Sequence, residues 1–138
     1  MIDSKAAEVD TAAVVRVAAF RAALRSFLRT SEQTARASGL TPQRYLLLLM
    51  VKGAPDGSEQ TTVTELATRL RLGQSTVTEL VKRAEQAGLI ERVRSDVDAR
   101  VAHVRLTPEG ERRLARSFTA LAEERRALRR IFAELERS

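Results

Sequence analysis

DARVAHVRLTPEG occupies residues 98–110, and TVTELATRLRLGQSTVTELVKRAEQAGLIERVR occupies residues 62–94 just before it. The earlier stretch predicts a short helix, a tight turn at Arg71–Gly73 and a second helix from about Gln74 to Ala87. The later stretch predicts the far strand of a short hairpin and the start of a new helix. Two helices joined by a tight turn and followed by a hairpin have the order of a winged helix-turn-helix.

The hairpin and the helix after it are indicated by β-prone residues and a capping signal. Leu89–Arg94 and Arg100–Leu106 are the two predicted strands, separated by the turn-forming sequence SDVDA. Thr107 followed by Pro108 is typical of a helix start, since threonine caps and proline fits the first helical position. The C-terminal region is predicted to be helical, either as one bent helix or as two with a break near Thr119 to Ala122.

Asp98 and Arg100, followed by Leu106 and Thr107, match a pattern of the hairpin wing in one family of regulators. With the helix pair before them, these residues make the chain resemble the MarR-type (multiple antibiotic resistance regulator) winged helix-turn-helix transcription factors. The resemblance implies a mostly α fold with a small β-hairpin wing. It also implies a ligand-responsive repressor that binds double-stranded DNA as a homodimer, with a small aromatic or phenolic anion as effector.

The regions before the helix pair are predicted to be two helices and a loop. Apolar residues at three- and four-residue steps predict a long amphipathic helix from about Thr11 to Ser38. Thr41 and Pro42 start a second helix, which is apolar nearly all round and ends at Gly53, as suits a buried central helix. The segment 53–60 has the composition of a loop.

Length and composition favour one compact domain. The chain has 138 residues, of which 43% are hydrophobic, enough for a single core over residues 1–138. Within it, residues 61–107 form the predicted winged helix-turn-helix. The family resemblance makes 1–40 and 108–138 dimerisation helices. In the C-terminal part, apolar residues at heptad-like spacing predict a seam that packs against a partner; they are Leu114, Phe118, Leu121, Leu128, Phe132 and Leu135.

Cysteine usage and charge exclude some classes of function. The chain has no cysteine, which excludes disulfides and thiol chemistry. It also has no apolar run that approaches the roughly 20 residues of a membrane span. We therefore expect a cytoplasmic protein without a membrane partner. The net charge is +6, with the same excess of two basic residues in segments 1–60, 61–107 and 108–138. A nucleic-acid function therefore depends on the motif, because the charge is not concentrated in it.

The second helix of the pair carries the predicted base-reading residues. Short polar side chains at its N-terminal end suit the major groove, and Gln74 can pair with the N6/N7 edge of adenine. The polar residues there are Gln74, Ser75, Thr76 and Thr78. Lys82 and Arg83 lie further along and are predicted to meet phosphates. Glu79 is expected to pair with Lys82 or Arg83. For any single residue, a solvated helix face is an equally good interpretation.

On the wing, Arg100 is predicted to enter the minor groove, with Asp98 bracing it. Further phosphate candidates are Arg92, Arg94 and Arg105, and for each of them the alternative role is cross-strand pairing with Glu91. Without the matching Leu106 and Thr107, Asp98 would be interpreted as an ordinary turn former and Arg100 as a solvated strand residue.

An enzyme is not expected, and neither a metal nor a cofactor is predicted. The one histidine, His103, has no second ligand at metal-binding spacing and no nucleophile near it in sequence. Two other classes of function stay open. A helical adaptor would use the same fold for protein contacts, and a DNA-coating protein would bind without sequence preference.

Overall fold

The computed structural model describes residues 8–94 and 100–137. It contains six helices and three strands within those ranges. In chain order they are α1 (Thr11–Ala37), α2 (Pro42–Lys52), β1 (Gln60–Thr61), α3 (Val63–Leu70), α4 (Gln74–Gln86), β2 (Ile90–Arg94), β3 (Ala102–Leu106), α5 (Pro108–Ala120) and α6 (Ala122–Leu135). The mostly helical fold with a small sheet is the one predicted from the sequence.

The C-terminal region is two helices, which resolves the open alternative: α5 ends at Ala120 and α6 begins at Ala122. The chain divides into two compact units, one of Glu32–Ala120 and the other formed by the residues up to Ser31 together with those from Leu121. The proposed division into dimerisation helices and a winged helix-turn-helix stays a prediction.

Helix α2 is the centre of the larger unit. It contacts α3, α4, α5, β1 and β3, and its side chains Tyr45, Leu47, Leu48 and Val51 are buried. Thr41 Oγ1 accepts a hydrogen bond from the Arg44 N–H at 3.1 Å, so threonine caps the helix ahead of Pro42 as predicted. The apolar sequence of α2 therefore reflects burial on several sides within the unit.

The sheet has three strands in the order β1-β3-β2, all antiparallel. The sequence predicted a two-stranded hairpin and assigned Gln60 to a loop. Gln60 instead pairs with Arg105, and Thr61 pairs with Val104. A two-residue strand is too short to show alternation, and tertiary pairing decides its conformation. The hairpin strands are also shorter than predicted, starting at Ile90 and at Ala102.

Thr107 joins the sheet, the end of α4 and the start of α5. Its hydroxyl donates to the Gly88 carbonyl at 2.6 Å and accepts from the Gly110 N–H at 3.1 Å, while its own N–H donates to the Leu89 carbonyl at 3.0 Å. Leu106 beside it is buried. The Leu-Thr pair of the wing pattern thus fixes where α5 begins.

The smaller unit is built around an aromatic contact and leaves much apolar surface exposed. The rings of Phe20 and Phe132 meet edge to face, with their centroids 5.9 Å apart. No described residue of α6 is fully buried. The heptad-like seam is not uniform, because Leu114 at its start is buried in the larger unit, whereas Phe132 is 48% exposed.

Candidate nucleic-acid interface

Helix α4 has one fully buried side and one exposed polar side. Val77, Val81 and Ala84 have no accessible surface, whereas Leu80 beside them is only partly buried. The predicted contact residues are all exposed on this helix: Gln74, Ser75, Thr76, Thr78, Lys82 and Arg83. The polar side is therefore held in place by the burial of the opposite side.

The turn before α4 is made by an arginine in a left-handed conformation. Arg71 has φ 57° and ψ 45°, a region that favours glycine. The N–H of Leu72 donates to the Ala67 carbonyl at 3.1 Å, and the N–H of Arg71 donates to the Thr68 carbonyl at 3.3 Å. These bonds close α3 in a Schellman-type arrangement and set the direction of the chain into α4.

The N-terminus of α4 is capped by Gly73, which supplies no side-chain hydrogen bond. Glycine is an acceptable residue at this position, and its φ of −67° is ordinary. Because no side chain of the cap covers it, this end of the helix suits a nearby anion.

Gln74, the first residue of α4, makes a contact that the sequence did not predict. Its Nε2 donates to Thr64 Oγ1 on α3 at 3.0 Å, and both side chains are exposed. The bond links the two helices of the pair across the turn. No sequence signal identified Thr64, because its exposed position is that of any solvated helix residue.

Several arginines near this surface are paired with glutamates. Arg83 Nε lies 3.2 Å from Glu79 Oε1. This confirms the expected pairing of Glu79 with a basic residue about one helical turn along α4. Arg105 Nε lies 2.8 Å from the Glu91 carboxylate directly across the sheet, which is the alternative role named for it.

Arg92 pairs differently from the sequence interpretation. Its Nε lies 2.9 Å from Glu85 Oε1 on α4, so it links the sheet to the helix rather than pairing with Glu91. Arg94, at the end of β2, is exposed. The phosphate contacts predicted for Arg92 and Arg94 stay predictions.

At the wing, Arg100 is exposed in a turn just before β3. Asp98 lies outside the described residues, so its predicted role as a brace for Arg100 stays a prediction. Arg100 and Arg94 flank the segment that connects β2 to β3.

A cleft of about 430 Å³ opens beside the first turns of α4. It is lined by Gln43, Ser75, Thr76, Glu79, Leu80 and Arg83. Gln43 on α2 is a lining residue that sequence analysis missed, since only the tertiary packing brings α2 alongside α4.

The resolved pKa shifts in the described residues lie away from α4. Hydrogen bonds to Glu111 and Glu59 raise the pKa of Lys52, and hydrogen bonds from Arg112 and Arg113 lower the pKa of Glu109. Within the described ranges, no cluster of histidine and carboxylate side chains has the arrangement of a metal site, and no helix is long and apolar enough to cross a bilayer.

Residues 38–101, which include the helix pair and β2, match the family model described as MarR family. This segment belongs to the MarR family. The resemblance predicted from the sequence is thereby confirmed, and it extends over α2 as well as the helix pair.

Among curated proteins, the chain is 36% identical over 75 residues to YsmB of Bacillus subtilis (strain 168), described as an uncharacterized HTH-type transcriptional regulator. The match covers 54% of this chain and 51% of YsmB, so the chain spans about half the length of this curated relative.

Solved structures share the fold over most of the chain. YusO of Bacillus subtilis has a TM-score of 0.63 at 24% identity, covering 87% of this chain and 91% of YusO. A mutant MarR from E. coli complexed with operator DNA has a TM-score of 0.64 at 17% identity, covering 87% and 85%. A mutant MepR of S. aureus bound to an oligodeoxyribonucleotide has a TM-score of 0.64 at 21% identity, covering 81% and 80%. The winged helix fold is thus shared.

Proposed function

We propose that the chain is a sequence-specific transcriptional regulator that binds double-stranded DNA as a homodimer. The observation that carries this proposal is the form of α4. Its polar residues at the N-terminal end, Gln74, Ser75 and Thr76, are exposed, while Val77 and Val81 hold the helix against the core. A helix presented in this way after a helix-turn-helix turn suits the major groove.

The contacts divide into two kinds. Gln74, Ser75, Thr76 and Thr78 would meet base edges, whereas Lys82, Arg94 and Arg100 would meet phosphates or the minor groove. Arg83 would first have to leave Glu79, to which it is paired in the free protein. Because several arginines are already paired, we expect modest non-specific attraction and a larger share of specificity from the base contacts.

A homodimer is supported by the apolar surface of the smaller unit. Its exposed large apolar side chains are Val9, Val14, Val15, Val17, Leu28 and Phe132. Apolar surface of this extent is typical of an interface rather than of a solvated helix pair. A second copy of the chain would cover it and would place two copies of α4 on successive half-sites, roughly 10 bp apart.

The proposal includes repression and release by a small aromatic or phenolic anion, both of which follow from the family resemblance. Release is tested by titrating phenolic carboxylates against the protein bound to its preferred duplex. A fall in DNA affinity that saturates with the ligand supports an effector. Unchanged affinity across the panel argues against this class of effector.

The function is tested by selecting binding sites from a random duplex library with the purified protein. Enrichment of a palindrome with half-sites about one helical turn apart supports the proposal and the dimer together. Binding without enrichment would favour a DNA-coating protein. Absence of binding at low salt would favour an adaptor that uses the fold for protein contacts.

A further inference from the structure

The hydrogen bond between Thr64 and Gln74 joins two exposed side chains on different helices of the pair. Gln74 Nε2 lies 3.0 Å from Thr64 Oγ1, and the turn that contains Arg71 separates the residues in sequence. Gln74 is the first residue of α4, at the end that the proposed function places in the major groove. The bond therefore acts on a predicted base-reading side chain.

Such a bond restricts the carboxamide before any DNA is present. A glutamine on a helix surface loses substantial rotamer freedom when it is fixed, and that entropy counts against binding if it is lost only on contact. A carboxamide nitrogen carries two hydrogens and the carboxamide oxygen accepts, so one bond to Thr64 leaves a donor and an acceptor for a base edge. Thr64 thus orients Gln74 without using up its capacity to pair.

We propose that Thr64 is a positioning residue that sets the base preference of Gln74. The inference rests on the proposed DNA-binding function and adds to it the source of specificity at one base pair. Thr64 acts through Gln74, and the geometry of the turn at Arg71 keeps the two within bonding distance.

The test measures relative affinity for a selected duplex and for all of its single-base variants. Thr64→Val removes the hydroxyl and keeps the shape of the side chain. Thr64→Ser keeps the hydroxyl, and Gln74→Ala identifies the base pair that Gln74 reads. Thr68→Val is the matched control, because it makes the same change one turn along α3, where the hydroxyl donates to the Thr64 carbonyl at 3.2 Å.

We expect Thr64→Val to reduce discrimination at the Gln74 base pair by about threefold to tenfold, a part of what a good base contact contributes. Combining Thr64→Val with Gln74→Ala should give no further loss at that base pair, because the two changes remove one contact. Thr64→Ser should retain the discrimination, and Thr68→Val should leave it unchanged.

Two results would overturn the inference while leaving the proposed function intact. One is unchanged discrimination in Thr64→Val. The other is a uniform loss at every base pair, which would make the bond a support of the helix pair as a whole. Absence of any base preference in the unsubstituted protein would overturn the proposed function as well, and so is distinguishable from both.

Discussion

Glu79 and Arg83 form an ion pair on the exposed side of α4, with Arg83 Nε 3.2 Å from Glu79 Oε1. Glu79 lies one helical turn along α4 from Ser75 and Thr76, two of the proposed base-reading residues. It places a carboxylate on a surface that would approach phosphates, and it occupies an arginine that would otherwise meet them. Glu79 is therefore expected to weaken the attraction between this surface and DNA.

Replacing Glu79 with glutamine should strengthen DNA binding. Arg83 is then released for a phosphate, so the slope of log K against log salt should steepen by about 0.9. Fluorescence anisotropy across a salt series measures both quantities. Glu123→Gln is the control, since it makes the same change at a glutamate that pairs with Arg126 on α6. Equal effects of the two variants would show that only net charge matters.

Arg100→Ala should weaken DNA binding and lower the salt slope by about 0.9, with the protein still folded. The physical reason is the loss of an exposed cation at the wing. Arg116→Ala, an exposed arginine on α5, removes the same charge elsewhere in the larger unit and should change the slope little. If Arg100→Ala leaves both the affinity and the slope unchanged, Arg100 does not contact DNA.

We expect Lys82→Ala to change the overall affinity for DNA and Gln74→Ala to change the preference for one base. Lys82 is exposed further along α4 and is proposed to meet phosphate, so its loss should weaken binding to all sequences alike. Gln74→Ala should relax preference at one base position. Competition between the selected duplex and its single-base variants separates these effects. Identical profiles for the two variants would contradict the assignment.

Gly110→Ala should destabilise the protein, although alanine favours helices. A Cβ at Gly110 would lie 2.2 Å from the Leu89 carbonyl oxygen, so the backbone must shift, at about 1–3 kcal/mol. Urea denaturation measures the loss. Gly73→Ala is the matched control: its Cβ meets no atom within 4 Å, and we expect a cost of at most about 1 kcal/mol at this capping position. A Gly110→Ala protein that is as stable as the unsubstituted one would contradict the close approach of α5 to the backbone at Leu89.

Lys52 should stabilise the larger unit in a pH-dependent way. Its Nζ lies 3.1 Å from Glu59 and 2.9 Å from Glu111, and hydrogen bonds to both carboxylates raise its pKa above the ordinary 10.5. Because the raised value belongs to the folded state, the contribution is complete below pH 10.5 and is lost as pH rises through the folded-state pKa.

Lys52→Met should therefore reduce the free energy of unfolding by at most about 1 kcal/mol near neutral pH, since the pair is partly exposed. The difference from the unsubstituted protein should shrink as the pH is raised beyond 10.5. Urea titrations at stepped pH values measure this. A difference that is constant with pH would assign the effect to packing of the lysine stem.

The sequence predicted the elements whose signals are local. Thr41-Pro42 and Thr107-Pro108 mark helix starts through capping and a fixed φ, and the structure confirms both. The exposure of Gln74 to Thr76 followed from helical periodicity. These features depend on residues within one turn of each other, which a single sequence contains.

What the sequence missed depends on contacts between distant segments. Strand β1 exists because Gln60 and Thr61 pair with β3, more than forty residues later in the chain. The partner of Gln74 is Thr64 on another helix, and the partner of Arg92 is Glu85 rather than Glu91. The partner of a surface polar residue does not occur at a fixed spacing along the sequence. Which of several possible partners is close enough to bond is decided by the tertiary fold.

The ratio of affinities for a selected duplex and for a scrambled duplex of the same composition is the most direct test of whether the protein reads DNA sequence. Measured at fixed salt near physiological strength, it separates base readout from the attraction of phosphates. Sequence-specific regulation through α4 predicts a ratio of about a thousandfold or more, which falls when Gln74 is replaced by alanine. A ratio near one, with binding retained, would contradict sequence-specific regulation by this protein.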